Sequence, residues 1–146
     1  MAGSKVIKVL RNRSSIQIRF SEVDSLGIVW HGNYVSYLED GREAFGREFG
    51  LGYYDVSEQG FLIPIVKLDM DFKLQVKYGE EIIVETTFVN NEAAKIMFAY
   101  TIYRSSDDAV VLTANSTQVF INEKGMLELI NPDFFLNWKK RVGLSG

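Results

Sequence analysis

Asp24 and His31 are the residues of this chain whose types and spacing best suit chemistry on a carbonyl group. They stand seven positions apart on the loop Asp24-Ser25-Leu26-Gly27-Ile28-Val29-Trp30-His31-Gly32-Asn33-Tyr34, and His31 is the only histidine. A carboxylate attacks a carbonyl as nucleophile or takes a proton from water as general base. The loop runs straight into a segment of helical period. The first N–H groups of a helix have no partners within it, and the helix dipole makes that end electropositive. A carbonyl oxygen docked there is polarised, and an oxyanion forming there is stabilised. The loop thus carries the parts of an acyl-transfer site. The same residue types also have ordinary structural uses. An aspartate before a helix commonly holds a turn or cap, a lone histidine is often structural, and Trp30 and Tyr34 fit a core as well as a substrate wall.

The elements that must position this loop are legible on both sides of it. Before it, Ile16/Ile18/Phe20 alternate with Gln17/Arg19, the period of a half-buried strand. After it, Tyr34, Leu38, Gly41, Phe45 and Phe49 recur every three or four residues and predict a helix over Tyr34–Phe49, ended by Gly50. Glu39 with Arg42, and Glu43 with Arg47, are spaced to pair on its surface. Gly41 in mid-helix costs about 1 kcal/mol relative to alanine, so close packing against a sheet or another helix is expected there. Beyond Gly60 the pattern reads as strands alone. Val66/Leu68/Met70/Phe72 alternate with charged residues, and Glu81–Val89, Lys95–Arg104 and Val110–Asn122 follow, separated by short polar turns. One strand, one long helix and four further strands make an α+β domain, with an antiparallel sheet covering the helix. Such a sheet leaves an edge strand to be protected, and pairing with a second copy is one solution. A homodimer is the expectation.

Composition narrows the function classes. The chain has 146 residues, 47% of them hydrophobic, 24% charged, with a net charge of -3. That fits one domain, 1–146, with a core over about 16–138. No basic stripe suggests a nucleic acid partner; Lys139-Lys140-Arg141 reads as a solvated helix end. There is no cysteine, which excludes disulfides, thiolate catalysis and cysteine-based metal sites. With one histidine, no metal site is expected. Met1–Ser15 is polar and holds no apolar run of signal-peptide or membrane-span length, so no membrane partner and a cytoplasmic location are expected.

The loop resembles the signature of the 4-hydroxybenzoyl-CoA thioesterase family, Asp-x-x-Gly-(Ile/Val)-Val-x-(His/Tyr)-x-x-Tyr, which Asp24, Gly27, Ile28, Val29, His31 and Tyr34 match. The likeness extends through Glu39 and Arg42, Ile63-Pro64-Ile65-Val66 and the strand succession to Asn131-Pro132-Asp133, covering about Ile16 to Trp138. The resemblance implies the hot-dog fold, in which a five-stranded antiparallel sheet wraps one long central helix. It implies dimers that share a continuous sheet and stack into tetramers, with sites at the subunit interface. The implied reaction is hydrolysis of acyl-CoA or acyl-carrier-protein thioesters. No cofactor is needed, because CoA or phosphopantetheine is part of the substrate. Asp24 becomes the catalytic carboxylate, and the His31 backbone N–H polarises the carbonyl while its side chain orients substrate or water. Gly27 lets the loop approach the thioester, and Val29, Trp30 and Tyr34 become candidate walls of the acyl pocket.

One departure stands out. Relatives that grip the CoA phosphates do so with clustered cations before the fourth strand, where this chain has Asn90-Asn91-Glu92-Ala93-Ala94-Lys95. Lys95 is the candidate phosphate contact, and a carrier-protein substrate stays open. Two rival functions also stand beside hydrolysis. A hot-dog enoyl-CoA hydratase would call for a closer Asp–His spacing on a different motif. A non-catalytic thioester-binding protein of the same fold would have no need of the acid at Asp24.

Overall fold

The computed structural model describes residues 8–144. Met1–Ile7, which hold the start of the polar N-terminal stretch, and Ser145–Gly146 lie outside them. Six strands and three helices follow in the order β1 Arg11–Gln17, α1 Asn33–Phe49, α2 Tyr53–Ser57, β2 Ile65–Phe72, β3 Glu81–Val89, β4 Lys95–Arg104, β5 Val110–Ile121, β6 Leu127–Glu128 and α3 Asp133–Arg141. The main sheet runs β1-β3-β4-β5-β2 with every pair antiparallel, and the two-residue β6 adds to β5. This is the expected α+β hot-dog arrangement, five long strands around one long helix.

The strands alternate as their sequences do. Ile82, Val84, Thr86 and Phe88 of β3, Ile96, Phe98, Tyr100 and Ile102 of β4, and Leu112, Ala114, Ser116, Gln118 and Phe120 of β5 are buried. Against this face α1 buries Tyr34, Tyr37, Leu38, Gly41, Ala44, Phe45 and Gly46. Phe45 is fully enclosed and meets Phe98 edge to face at 5.0 Å between ring centroids. Burying such a side chain is worth roughly 2–3 kcal/mol. Helix and sheet pack tightly at Gly41: a Cβ built there would lie 2.5 Å from Thr86 Oγ1 and 2.7 Å from Val84 Cγ1. Gly50, at φ +74°, ends the helix in the left-handed conformation.

Four expectations are corrected. The first strand lies at Arg11–Gln17 rather than Ile16–Phe20, because its ladder partner β3 pairs with it from Arg11 to Gln17. Ile18 still donates to Glu80 O, but Glu22 Oε1 then accepts the Arg19 N–H and bends the chain into a 3-10 turn at Phe20–Glu22. Phe20 is left 77% exposed, packed edge-on against Tyr78. The chain beyond Gly60 is also not strands alone. Pro132 opens α3, with Asp133 in its first turn and Lys139, Lys140 and Arg141 in its last, charges that suit the helix dipole. Phe135 and Trp138 of α3 enter the core, and Trp138 Nε1 donates to Phe49 O at the end of α1. Lys139 is not solvated. It is buried, donates to Asn91 O at 2.6 Å, and lies 4.9 Å from the Phe135 ring centroid. Burial lowers its pKa. Finally, the ion pairs expected on α1 do not form among the described residues. Arg42 turns inward and donates to Tyr100 Oη.

Candidate active site

The catalytic-loop candidate is a bridged hairpin stitched to the approach of β3. Val23 pairs with Val29, and Ile28 pairs with Lys77. Val29 N–H donates to Val76 O, and Tyr78 N–H donates to Gly27 O. Inside the loop, Asp24 Oδ1 accepts from the N–H groups of Leu26 at 2.9 Å and Ile28 at 3.3 Å, while Asp24 N–H donates to Ile28 O. One carboxylate oxygen therefore holds the turn. The other, Oδ2, takes no hydrogen bond among the described residues, and the side chain is exposed. Gly27 sits at φ +76°, where a side chain is strained, and nothing lies within 4 Å of the position a Cβ would take. The loop is thus open on its glycine side.

The other end of the loop delivers the helix N-terminus. Asn33 N–H donates to Trp30 O, Tyr34 N–H to His31 O, and the Asn33 side chain to Glu22 O at 2.7 Å. Gly32 occupies the cap position and offers no side-chain cap. The backbone N–H groups of His31 and Gly32 donate to nothing among the described residues. Two free amides at the positive end of a 17-residue helix form a donor pair for an oxygen. The His31 ring is exposed and touches the Trp30 indole at 5.2 Å between centroids. That indole lies over Gly32, so a Cβ at Gly32 would run into it.

The remaining expected residues separate. Val29 and Tyr34 are 5% and 3% exposed and belong to the core of the protomer, whereas Trp30 is 54% exposed. Burial raises the Tyr34 pKa, against the opposing effect of a hydrogen bond from the Val76 backbone. Lys95 opens β4, at the far end of the β3–β4 hairpin from the loop, with the nine residues of β3 between. At 3.3–3.4 Å per residue that is about 30 Å. Within one protomer Lys95 and Asp24 do not share a site.

A feature that sequence reasoning missed lies further along the helix. A cleft of about 520 Å³ opens between α1, the Leu51-Gly52-Tyr53 turn, the Leu62-Ile63-Pro64 approach to β2, and the ends of β4 and β5. Its walls are mainly apolar. The polar side chains in it are Glu39, Arg42 and Glu43 from α1, Tyr53 from α2 and Gln118 from β5. Gln118 is 7% exposed; its Nε2 donates to Ile63 O at 2.9 Å, and its Oε1 has no partner among the described residues. A buried acceptor in that state costs about 1–3 kcal/mol. Tyr100 Oη, which accepts from Arg42, is itself 2.6 Å from Ser116 Oγ. The alternation of β5 signals that Ser116 and Gln118 face inward, and polar residues on a buried face are the mark that could have revealed the cleft.

The model of the thioesterase-like superfamily matches residues 18–138. The chain belongs to this superfamily. Among curated superfamily relatives, YneP of Bacillus subtilis, provisionally named an acyl-CoA thioesterase, is 28% identical over 127 residues, 87% of this chain and 91% of that one. A chloroplastic acyl-acyl carrier protein thioesterase of Arabidopsis thaliana is 26% identical over 109 residues, 75% of this chain and 57% of that one. Solved structures share the fold. The DHNA-CoA thioesterase of Staphylococcus aureus gives a TM-score of 0.78 at 23% identity, covering 90% of this chain and 87% of that one. The 4-hydroxybenzoyl-CoA thioesterase of Pseudomonas sp. strain CBS-3 gives 0.74 at 22%, covering 88% and 98%. These relatives and neighbours are named thioesterases, and the chain is an enzyme of that type.

Proposed function

We propose that the protein hydrolyses acyl-CoA or acyl-carrier-protein thioesters, with Asp24 as the reacting carboxylate. The observation that carries this reading is the pairing, on one bridged loop, of a carboxylate oxygen and two backbone amides that have no hydrogen-bond partners among the described residues. The thioester carbonyl oxygen docks on the N–H groups of His31 and Gly32. Asp24 either attacks the carbonyl carbon or takes a proton from the water that does. The tetrahedral oxyanion collapses, the C–S bond breaks, and the thiolate leaves and is protonated. In the nucleophilic route the resulting anhydride is hydrolysed by water, which restores the carboxylate. Gly27 keeps the approach free of side-chain bulk, and the His31 ring and Trp30 flank the entry. A binding protein of this fold would not need the free carboxylate oxygen beside the amides, and a hydratase would call for a closer Asp–His spacing than that of Asp24 and His31.

The working unit in this reading is a homodimer, with stacking into a tetramer left to surfaces that no motif marks. β2 is the outer strand beside β5, and Val66, Phe72 and neighbouring Leu74 are exposed there. A two-fold antiparallel pairing of β2 with its copy sets the Ile65 end of one protomer beside the Phe72 end of the other. Phe72 packs on Tyr34 at the start of α1. The cleft that leads into Ile65 would then lie alongside the catalytic loop of the second protomer and receive the acyl group. No described helix is long and apolar enough to cross a membrane; the proposed location is the cytoplasm. No metal or cofactor enters the mechanism. Lys95 is left as a contact for the CoA phosphates reached from the partner. Thiol release from a panel of acyl-CoA and acyl-carrier-protein substrates tests the reading. Turnover of some acyl group is expected, and a folded protein inert towards both carriers would overturn it.

A further inference from the structure

We infer that Asn33 is a positioning residue of the reactive loop: its side-chain amide, donating to Glu22 O, fixes the His31 and Gly32 amides relative to the Asp24 carboxylate. This rests on the proposal that Asp24 and those two amides act on a thioester.

Glu22 O is where the loop closes on itself. It accepts from Trp30 N–H at 3.1 Å and from Asn33 Nδ2 at 2.7 Å, which uses both lone pairs of the carbonyl. Glu22 stands just ahead of Asp24, and between them Val23 pairs with Val29. The hairpin from Glu22 to Trp30 is therefore held by its own backbone. His31 and Gly32 lie outside it, between Trp30 and the first residue of α1. The bonds that span them, Asn33 N–H to Trp30 O and Tyr34 N–H to His31 O, are local and turn with the helix. The Asn33 side chain reaches eleven residues back and ties the helix to the segment that carries Asp24. Without it the carboxylate sits on one unit and the donor pair on another. A misplacement of about 1 Å between reacting groups can cost about a hundredfold in rate.

The residue type points the same way. An acid in the first turn of a helix stabilises it, yet α1 has none there. Asn33→Asp would suit the helix better, but a carboxylate only accepts. It would meet Glu22 O acceptor to acceptor, and it would set a negative charge beside the place where an oxyanion forms. The amide serves the loop, not the helix.

Asn33→Ala and Asn33→Asp separate positioning from stability. Both lose the bond to Glu22 O, and only the second adds an acid to the first turn. With octanoyl-CoA and benzoyl-CoA as substrates, kcat should fall about tenfold to a hundredfold in both variants, with KM within about threefold of wild type. The Asn33→Asp protein should melt no lower than the wild type. A kcat within about threefold of wild type in Asn33→Asp, or a loss confined to Asn33→Ala that vanishes on cooling, makes Asn33 a helix residue and overturns the inference. The second readout needs no turnover. In isotope-labelled free protein, amide hydrogen exchange at Trp30, whose N–H shares Glu22 O, should quicken about tenfold or more in Asn33→Ala, while Leu38 and Phe45 in mid-helix keep wild-type rates. Faster exchange at Trp30 in a protein that hydrolyses neither thioester upholds the Asn33 clamp and removes hydrolysis. Unchanged exchange in an active enzyme removes Asn33 and leaves hydrolysis standing.

Discussion

Tyr34, in the first turn of α1, meets Phe72, the last residue of β2, edge to face with ring centroids 5.6 Å apart. The contact couples the helix N-terminus to the outer strand of the sheet, and Phe72 remains 47% exposed on its other side. Whatever covers β2 therefore also reaches the neighbourhood of the reactive loop. A second copy is the proposed cover, so the protein should sediment at twice its 16.6 kDa chain mass. Val66, 60% exposed near the start of the same strand, is the place to test this. Val66→Asp puts a charge on the edge, a device that discourages strand pairing. Its expected outcome is a monomer by light scattering, with an unchanged far-UV circular dichroism spectrum and turnover reduced at least about tenfold. A wild-type protein that is monomeric and fully active would remove the dimer from the mechanism.

Gly41→Ala sets helix propensity against packing. Alanine is favoured over glycine by about 1 kcal/mol within a helix. At this position its methyl would press on Thr86 Oγ1 and Val84 Cγ1, both closer than 3 Å. Overpacking a well-filled site costs about 1–3 kcal/mol, so the net effect should be destabilising by up to about 2 kcal/mol. Thermal unfolding should show a Tm lower by several degrees. A higher Tm would mean that propensity wins and that the helix can slide off the sheet at no cost.

The helix, the four later strands and the chemistry-bearing loop were legible because each follows one strong local rule: 3.6-residue period, two-residue period, or a carboxylate and glycines before a helix. What sequence did not yield has physical reasons. The shift of the first strand to Arg11–Gln17 depends on pairing with β3, some seventy residues away, and polar alternation at Asn12 and Ser14 hides a paired strand. α3 was masked by its short length, although its charge order and Phe135–Trp138 spacing were available. Arg42 was expected on the surface since glutamates lie three positions before it and next to it; the Tyr100–Ser116 hydroxyl pair that draws it inward comes from two different strands. The cleft and Gln118 required the same tertiary assembly. The loop was readable, and the cleft was not.

His31→Ala separates the side chain from the backbone. The ring is exposed and its described contact is with Trp30, whereas the proposed oxyanion contact is the His31 N–H, which alanine retains. The expected result is a fall in kcat/KM of about tenfold or less, an effect under roughly 1.4 kcal/mol. A loss of a thousandfold, in a protein with unaltered Tm, would assign proton transfer to the imidazole.

Asp24 holds its loop in this structure and is proposed to react as well, and two substitutions pull the two roles apart. Oδ1 accepts from the Leu26 and Ile28 amides and holds the loop; Oδ2 is free for chemistry. Asp24→Asn keeps an oxygen for the turn and removes the negative charge, the basicity and the nucleophilicity. Asp24→Ala removes both functions. Stability should barely change in the asparagine variant and fall by about 1 kcal/mol in the alanine variant, the usual scale for lost hydrogen bonds. Turnover should fall equally far in both, by roughly two to four orders of magnitude for loss of a positioned base. That corresponds to about 3–5 kcal/mol of transition-state stabilisation. Urea denaturation and thiol release on the best substrate give the two readouts. If Asp24→Asn retained more than about a tenth of wild-type kcat while Asp24→Ala lost stability, Asp24 would be a clamp for its own loop. The reacting carboxylate would then have to be sought elsewhere, with Glu39 in the cleft the first to examine.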